Sequence, residues 1–228
     1  AQHFLQNVLR ILGHEHRMGQ ILTPERAVKV ESFPMGIDFD KFSKALENPE
    51  TKQEAEELRA TLTQVNVILS VDRLDYSKGI LNRLEGFESF LEANARYHGK
   101  VVLLMVVVPS RIGVSQYDLM KRQIEELVGK INGRFGRIGW TPVVYQYRSV
   151  PFQSLAALYS ISDICLVTPL RDGMNLVAKE YVATRKDGTG VLILSEMAGA
   201  SKELPEAIII NPNHRQEIAD ALKTALEM

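Results

Sequence analysis

At 228 residues, with 27 Lys and Arg against 28 Asp and Glu, the chain is long enough for one large domain and carries a formal net charge of −1 with no basic stripe, which argues against a nucleic-acid partner. Apolar residues make up 45% and charged residues 24%, the mix of a globular chain that buries a core without disulfide staples. No apolar run reaches the ~18 residues that span a bilayer, nothing in the opening residues reads as a signal peptide, and the single cysteine fits a reducing compartment, so a cytoplasmic location and no membrane partner are expected.

The chain opens on "AQHFLQNVLRIL" (1–12), helical in character with no capping residue before it, and closes on "ALKTALEM", also helical with no stop signal. Both ends read as cuts, so a piece of a longer protein is expected. "GHEH" (13–16) offers two histidines at spacing two with no cysteine cluster nearby, and reads as a solvated loop, not a metal site. "RAVKVESF" (26–33) reads as a strand, and "PMGID" (34–38) as a break. Residues 1–35 are therefore expected to be the tail of a preceding domain and 36–46 a connection, with the main domain spanning 36–228. A strand parted from its sheet seeks pairing, so "AVKVESF" is expected either to dock on its own domain in a non-native way or to pair with another copy into a homo-oligomer, the plain alternative being that it stays frayed and solvated.

A charged helix is expected at about 49–63. After it, short apolar runs rich in Val and Ile alternate with amphipathic stretches. The runs are 65–71, 101–108 ("VVLLMVVV"), 143–147, 163–168, 191–195 and 206–210. The helical stretches are 80–91, with Ile80, Leu84, Phe87 and Leu91 on one face, 117–131 and 218–226. Continuous apolar strands alternating with helices predict a parallel sheet covered on both faces. Right-handed crossovers make that an α/β, doubly wound, Rossmann-like domain. Cys165, inside "ICLV", reads as a core residue.

In such a sheet ligands sit beyond the carboxyl ends of the strands. Two loops there run from a strand end into a helix start. The first is "RLDYSKG" (73–79), which places Arg73, Asp75 and Lys78 after a core strand. The second is "TPLRDGMNLVAKE" (168–180), with Asp172, Gly173, Asn175 and Glu180. Helix N-termini favour phosphate, and Arg73 and Lys78 add full charges. Gly173 lets backbone approach a ligand, and Asn175 can cap a helix starting at about Leu176. Each feature also has a plain reading: Arg73 and Lys78 as surface cations, Asp75 as an Asx-turn, "DGMN" as a turn and cap, Glu180 as a solvated helix charge. Both loops at one edge favour a phosphate-bearing ligand, with Asp172 and Glu180 available to sugar hydroxyls. No G-x-G-x-x-G follows the first strand, and "GRFGRIG" (133–139) precedes a strand and lacks a P-loop ending, which argues against NAD, FAD or a P-loop nucleotide. No Ser-His-acid arrangement can be placed.

The stretches "SVDRLDYSKGI", "GRIGWTP" and "LVTPLRDGMNLVAKEYVA" closely resemble the trehalose-6-phosphate synthases, retaining glycosyltransferases of the two-domain GT-B type. The resemblance covers roughly 30–228. It implies the second, donor-binding domain of such an enzyme, which moves glucose from UDP-glucose to glucose 6-phosphate in trehalose biosynthesis, without a metal or other cofactor. By the resemblance, Arg73 and Lys78 hold the donor diphosphate and, with Asp172, form the catalytic set. Asp172 accepts from glucose hydroxyls. Met174, Asn175 and Leu176 offer backbone N–H groups, Gly173 and Val177 complete the donor-binding loop, and Glu180 grips the ribose. Arg111, in "PSRIG", matches the position that reaches the acceptor phosphate. The acceptor site would lie largely in the first domain, so this chain alone is expected to be inactive. Two alternatives stay open: a glucosylglycerol-phosphate synthase using glycerol 3-phosphate, and a non-catalytic sugar-nucleotide-binding regulatory module.

Overall fold

The computed structural model describes residues 2–62, 64–111 and 113–228. The chain divides into two compact units, the first ending at Met35 and the second running Gly36–Met228.

The first unit holds α1 (Gln2–Leu12) and three short strands, β1 (His16–Arg17), β2 (Gln20–Leu22) and β3 (Ala27–Lys29). Ala1, included in the expected first helix, lies outside the described residues. The strands form one antiparallel sheet in the order β1-β2-β3. This corrects the expectation of a single long strand without a partner, because Val28 pairs with Ile21 inside the same unit. The β1–β2 turn is Met18-Gly19, both at positive φ (51° and 78°), which is the two-residue hairpin geometry. A methionine at its first position carries no turn signature, so the hairpin was hidden in the sequence. His16 belongs to β1 and is exposed.

The second unit begins with α2 (Phe39–Ser43), a 3₁₀ turn at Ala45–Glu47 and α3 (Pro49–Thr61). Residues 36–46 are thus not only a connection: Asp38 caps α2 by accepting from the Lys41 N–H, and Phe42 joins the core. Thr63, the last residue of the expected charged helix, lies outside the described residues. The sheet then follows as β4 (Asn66–Arg73), α4 (Ile80–Ala93), β5 (Val101–Val108), α5 (Ser115–Phe135), β6 (Val143–Gln146), α6 (Phe152–Ile161), β7 (Ile164–Val167), α7 (Leu176–Thr184), β8 (Val191–Ser195), β9 (Ile208–Ile210) and α8 (Arg215–Glu227).

All six strands β4–β9 are parallel, in the order β6-β5-β4-β7-β8-β9. Counted from β4 this is the 3-2-1-4-5-6 arrangement, with the chain reversing direction across the sheet between β4 and β7. The period-2 alternation of the strands divides the core. Ile68, Leu103, Met105 and Ile164 face α4, α5 and α8. Val67, Leu69, Leu104 and Cys165 face the other way, toward α6 and α7. Cys165 is fully buried, and burial pushes its thiol up, as expected of a core residue. No helix among the described residues is long and apolar enough to cross a membrane.

Candidate functional site

The switch point of a doubly wound sheet is where two neighbouring strands send their following loops in opposite directions, opening a crevice at the carboxyl edge. Here those strands are β4 and β7, and their loops are the two that the sequence marks out, 74–79 and 168–175.

The first loop is shaped by local hydrogen bonds. Asp75 accepts from the backbone N–H of Ser77 at 2.9 Å and from its hydroxyl at 2.7 Å, capping a 3₁₀ turn at Tyr76–Lys78. This is the Asx-turn read from sequence. Burial works against the Asp75 carboxylate, but the Ser77 bonds and the charges of Arg111 and Arg73 hold its pKa below the ordinary value. Gly79 then takes φ +64° and starts α4. A Cβ there would strike the Thr168 carbonyl oxygen, so only glycine lets the loops touch. They are joined by backbone bonds, with the Leu170 and Arg171 N–H groups both donating to the Ser77 carbonyl at 2.8 and 3.2 Å.

In the second loop Asn175, at φ +75°, accepts from the Ala178 N–H at 3.1 Å and caps α7, as expected. The first turn of any helix has N–H groups without intrahelical partners, which leaves α7 aimed at this edge as a donor of hydrogen bonds. The loop rests on the segment after β8. Asp172 N–H donates to Met197 O at 3.2 Å, Gly199 N–H to Asp172 O at 3.1 Å, and Ala200 N–H to Met174 O at 2.7 Å. At this contact Gly199 has no room for a side chain, whereas a Cβ on Gly173 would meet nothing within 4 Å.

The loops bring charged side chains together. Lys78 Nζ lies 2.5 Å from Asp172 Oδ2, with both side chains about one-sixth exposed. Asn175 Nδ2 donates to the same oxygen at 3.2 Å. Arg73 is exposed at the end of β4, and Arg111, at φ +49°, lies after β5, with one guanidinium nitrogen donating to the Tyr117 hydroxyl at 2.7 Å. Met174, Leu176 and Val177 are half-buried around the α7 start, and Gly173 is exposed. Glu180 does not stand free on the helix: its Oε2 accepts from the buried Tyr159 hydroxyl at 2.8 Å. Burial, and then the Glu180 charge, push the Tyr159 pKa well above its ordinary value, so the hydroxyl keeps its proton and donates.

Two groups behind the site escaped the sequence reading. Tyr159 sits in "FQSLAALYSI", apolar nearly all round, where no single face stands out. Arg83 and Asp72 form a buried ion pair at 2.8 Å beneath the first loop. Burial raises the Asp72 pKa, and the Arg83 charge and hydrogen bond oppose that rise. A signal was present. Arg83 falls three residues after Ile80 and one before Leu84, in phase with the buried stripe of α4, and a cation in that phase needs a buried partner. Among the described residues no three His, Cys, Asp or Glu side chains gather as a metal-ligand set.

The chain matches the model of glycosyltransferase family 20 over residues 1–228. It is 51% identical to the bifunctional trehalose-6-phosphate synthase/phosphatase of Thermoproteus tenax, covering 100% of this chain and 31% of that protein. It is 42% identical to the 56 kDa subunit of the UDP-forming alpha,alpha-trehalose-phosphate synthase of Saccharomyces cerevisiae, covering 46% of it. Among solved structures, the UDP-forming alpha,alpha-trehalose-phosphate synthase from Burkholderia xenovorans in complex with glucose-6-phosphate superposes with a TM-score of 0.94 at 37% identity, over 100% of this chain and 51% of that one. "Trehalose-6-phosphate from E. coli bound with UDP-2-fluoro glucose" gives a TM-score of 0.88 at 41% identity, over 93% of this chain and 47% of that one. The N-terminal domain of Candida albicans trehalose-6-phosphate phosphatase gives 0.94 at 30% identity, over 100% of this chain and 48% of that one. The chain thus spans half or less of most of these relatives.

Proposed function

The chain belongs to glycosyltransferase family 20, and on that premise we propose that it is the donor-binding part of a retaining α,α-trehalose-phosphate synthase, moving glucose from UDP-glucose to glucose 6-phosphate. The observation that carries this reading is the meeting of Lys78 and Asp172 at the β4/β7 switch point, one from each loop. A cation and a carboxylate side by side suit a sugar linked to a diphosphate: the cation faces the phosphate oxygens and the carboxylate accepts from sugar hydroxyls. Arg73 supplies a second cation, the α7 start supplies backbone N–H groups through Met174, Asn175 and Leu176, and Glu180 accepts from the ribose hydroxyls. Arg111 serves the acceptor phosphate.

In this reading the bond between the anomeric carbon and the diphosphate oxygen breaks while negative charge collects on the leaving group. Lys78 and Arg73, held in place beforehand, stabilise that charge, and the leaving phosphate takes the acceptor's proton on the same face. No protein nucleophile is required, and the two cations do the work that a divalent metal would do. Residues 1–35 belong with the acceptor side of the whole enzyme, and transfer needs that partner domain, because orienting acceptor against donor supplies several kcal/mol of a typical barrier. A reduced, buried Cys165 suits a cytoplasmic setting.

UDP is expected to bind this chain weakly, with a heat of binding by titration calorimetry that persists in EDTA. No heat and no thermal shift at millimolar UDP would remove the donor-site reading. The phosphatase N-terminal domain with the same fold favours a second reading, a non-catalytic module. UDP binding by the chain, with no transfer by the full-length protein to glucose 6-phosphate or glycerol 3-phosphate, would select it.

Tyr159 gives a sharper test of the ribose contact. Removing its hydroxyl leaves Glu180 without the bond that aims it, and one such bond to a charged group is worth about 1.5–3 kcal/mol. Tyr159→Phe is expected to weaken UDP binding by about tenfold or more, and to have no effect on 2′,3′-dideoxy-UDP. Equal losses with both ligands would mean that Tyr159 matters only to packing.

A further inference from the structure

Arg83 is completely enclosed, so it cannot touch a ligand, yet its guanidinium reaches three parts of the site's framework. Nε donates to the Thr168 hydroxyl at 2.9 Å, at the start of the second loop. One terminal nitrogen donates to the Ser70 hydroxyl inside β4. The other lies 2.8 Å from Asp72 Oδ2 and donates to the Lys78 carbonyl at 3.1 Å, in the first loop. Ser70 and Asp72 share the face of β4 that meets α4, so the fork is anchored in the central strand and reaches outward. Only a planar group with five N–H donors can make this set of contacts at once.

We infer that Arg83 is a positioning residue which, by clasping the Lys78 carbonyl and the Thr168 hydroxyl from within the core, fixes the spacing between the two switch-point loops and so aims Lys78 at the ligand. The functional part rests on the donor-site reading above; the structural part does not. The geometry favours a clasp over simple neutralisation of Asp72, because neutralisation needs neither of the loop contacts. Lys78 hangs from the very carbonyl that Arg83 holds, and its ammonium is 2.5 Å from Asp172. Displacing a catalytic group by about 1 Å can cost about 100-fold in rate.

The test compares Arg83→Lys with the double variant Asp72→Leu, Arg83→Met in the full-length protein. The double variant removes both charges together, and well-packed apolar replacements of buried ion pairs often keep stability. Each variant is examined by thermal melting, by ligand-free backbone hydrogen exchange, and by steady-state kinetics with UDP-glucose and glucose 6-phosphate. The expected result is a double variant that still melts cooperatively, at a lower temperature because the buried Ser70 and Thr168 hydroxyls and the Lys78 carbonyl lose their donor, exchanges faster by about tenfold or more at Leu170 and Arg171, whose N–H groups bridge the loops, and loses about 10- to 100-fold in kcat with a smaller change in donor KM. Wild-type exchange at those two amides, together with wild-type kcat, would overturn the inference. If the double variant does not fold, Arg83→Lys decides by the same readouts, since it keeps a charge for Asp72 but loses the fork; wild-type behaviour there overturns the inference equally. If the wild-type protein does not transfer glucose to glucose 6-phosphate, the functional reading falls, and the exchange rates of Leu170 and Arg171 alone still decide whether Arg83 is the clasp.

Discussion

Lys78→Ala is expected to lower kcat of the full-length protein by about 30- to 1000-fold, the loss of about 2–4 kcal/mol of transition-state stabilisation from a preorganised cation. Burial sets the size of this effect. The Lys78 side chain is 15% exposed, so its charge acts in a partly water-excluded site where Coulomb interactions are stronger than at a free surface. In the unliganded protein that charge is matched by Asp172. Once a diphosphate occupies the crevice, the cation faces charge that grows as the leaving group departs, so its removal should damage turnover more than ground-state binding. Arg73→Ala is expected to act in the same direction with a smaller effect, because Arg73 is exposed and solvent screens it. Steady-state kinetics in donor concentration separate the two roles. A Lys78→Ala enzyme with normal kcat and only a raised donor KM would show that the lysine binds and does not assist bond breaking.

The second large effect is expected at a residue with no functional group. A Cβ on Gly199 would land on the Gly173 carbonyl oxygen, 2.9 Å from its carbon and 3.2 Å from the Met174 Cα, all of them backbone. No rotamer change relieves such a clash, so the Asp172–Met174 segment has to move. Gly199→Ala is therefore expected to cost about 1–3 kcal/mol of stability from overpacking and to weaken UDP-glucose binding by about tenfold through displacement of Asp172 and the α7 start. Gly173→Ala is the control: with open space at its Cβ it should leave the melting temperature unchanged and lower donor affinity only if the ligand approaches that backbone closely. Equal melting temperatures for Gly199→Ala and wild type would show that the loop after β8 yields without consequence.

The comparison between those two glycines shows what a sequence can reveal. Gly173 stands inside a conspicuous polar loop and draws the eye; Gly199, in "EMAGAS", looks like any small residue beside a turn. Its importance comes from a contact between segments separated by β8, which no local pattern encodes. Local chemistry was legible: the Asx-turn at Asp75, the Asn175 cap, and strands such as Val101–Val108 and Val191–Ser195, whose continuous apolar runs match their observed bounds. The alternation of runs and helices gave the sheet, and both ligand-edge loops were placed correctly on it. The misses follow a pattern. The Met18-Gly19 hairpin lacked turn residues, α2 was too short for periodicity to register, and α6 was too uniformly apolar to show a face. Tyr159 and Arg83 are identified by the partners that they meet across the fold, Glu180 and Asp72.

The switch point also makes one strand pairing of this sheet long-range in sequence. β4 is flanked by β5 on one side and by β7 on the other. The β4–β5 pair closes over one crossover, but the bonds between Val67 and Asp163, a backbone N–H to the Asp163 carboxylate at 2.7 Å and the reciprocal Asp163 N–H to Val67 O at 2.9 Å, join residues 96 apart. Non-local pairing of this kind carries a loop-closure cost before any contact rewards it, and it slows folding. On a ribosome the β4–β5–β6 half can form early, while the edge of β4 that will meet β7 waits unpaired until β7 has emerged. The crevice cannot form before β7 has been made, because it lies on the seam between β4 and β7. At a few to about twenty residues per second, that exposed edge persists for several seconds in each newly made chain, the interval in which aggregation competes with completion.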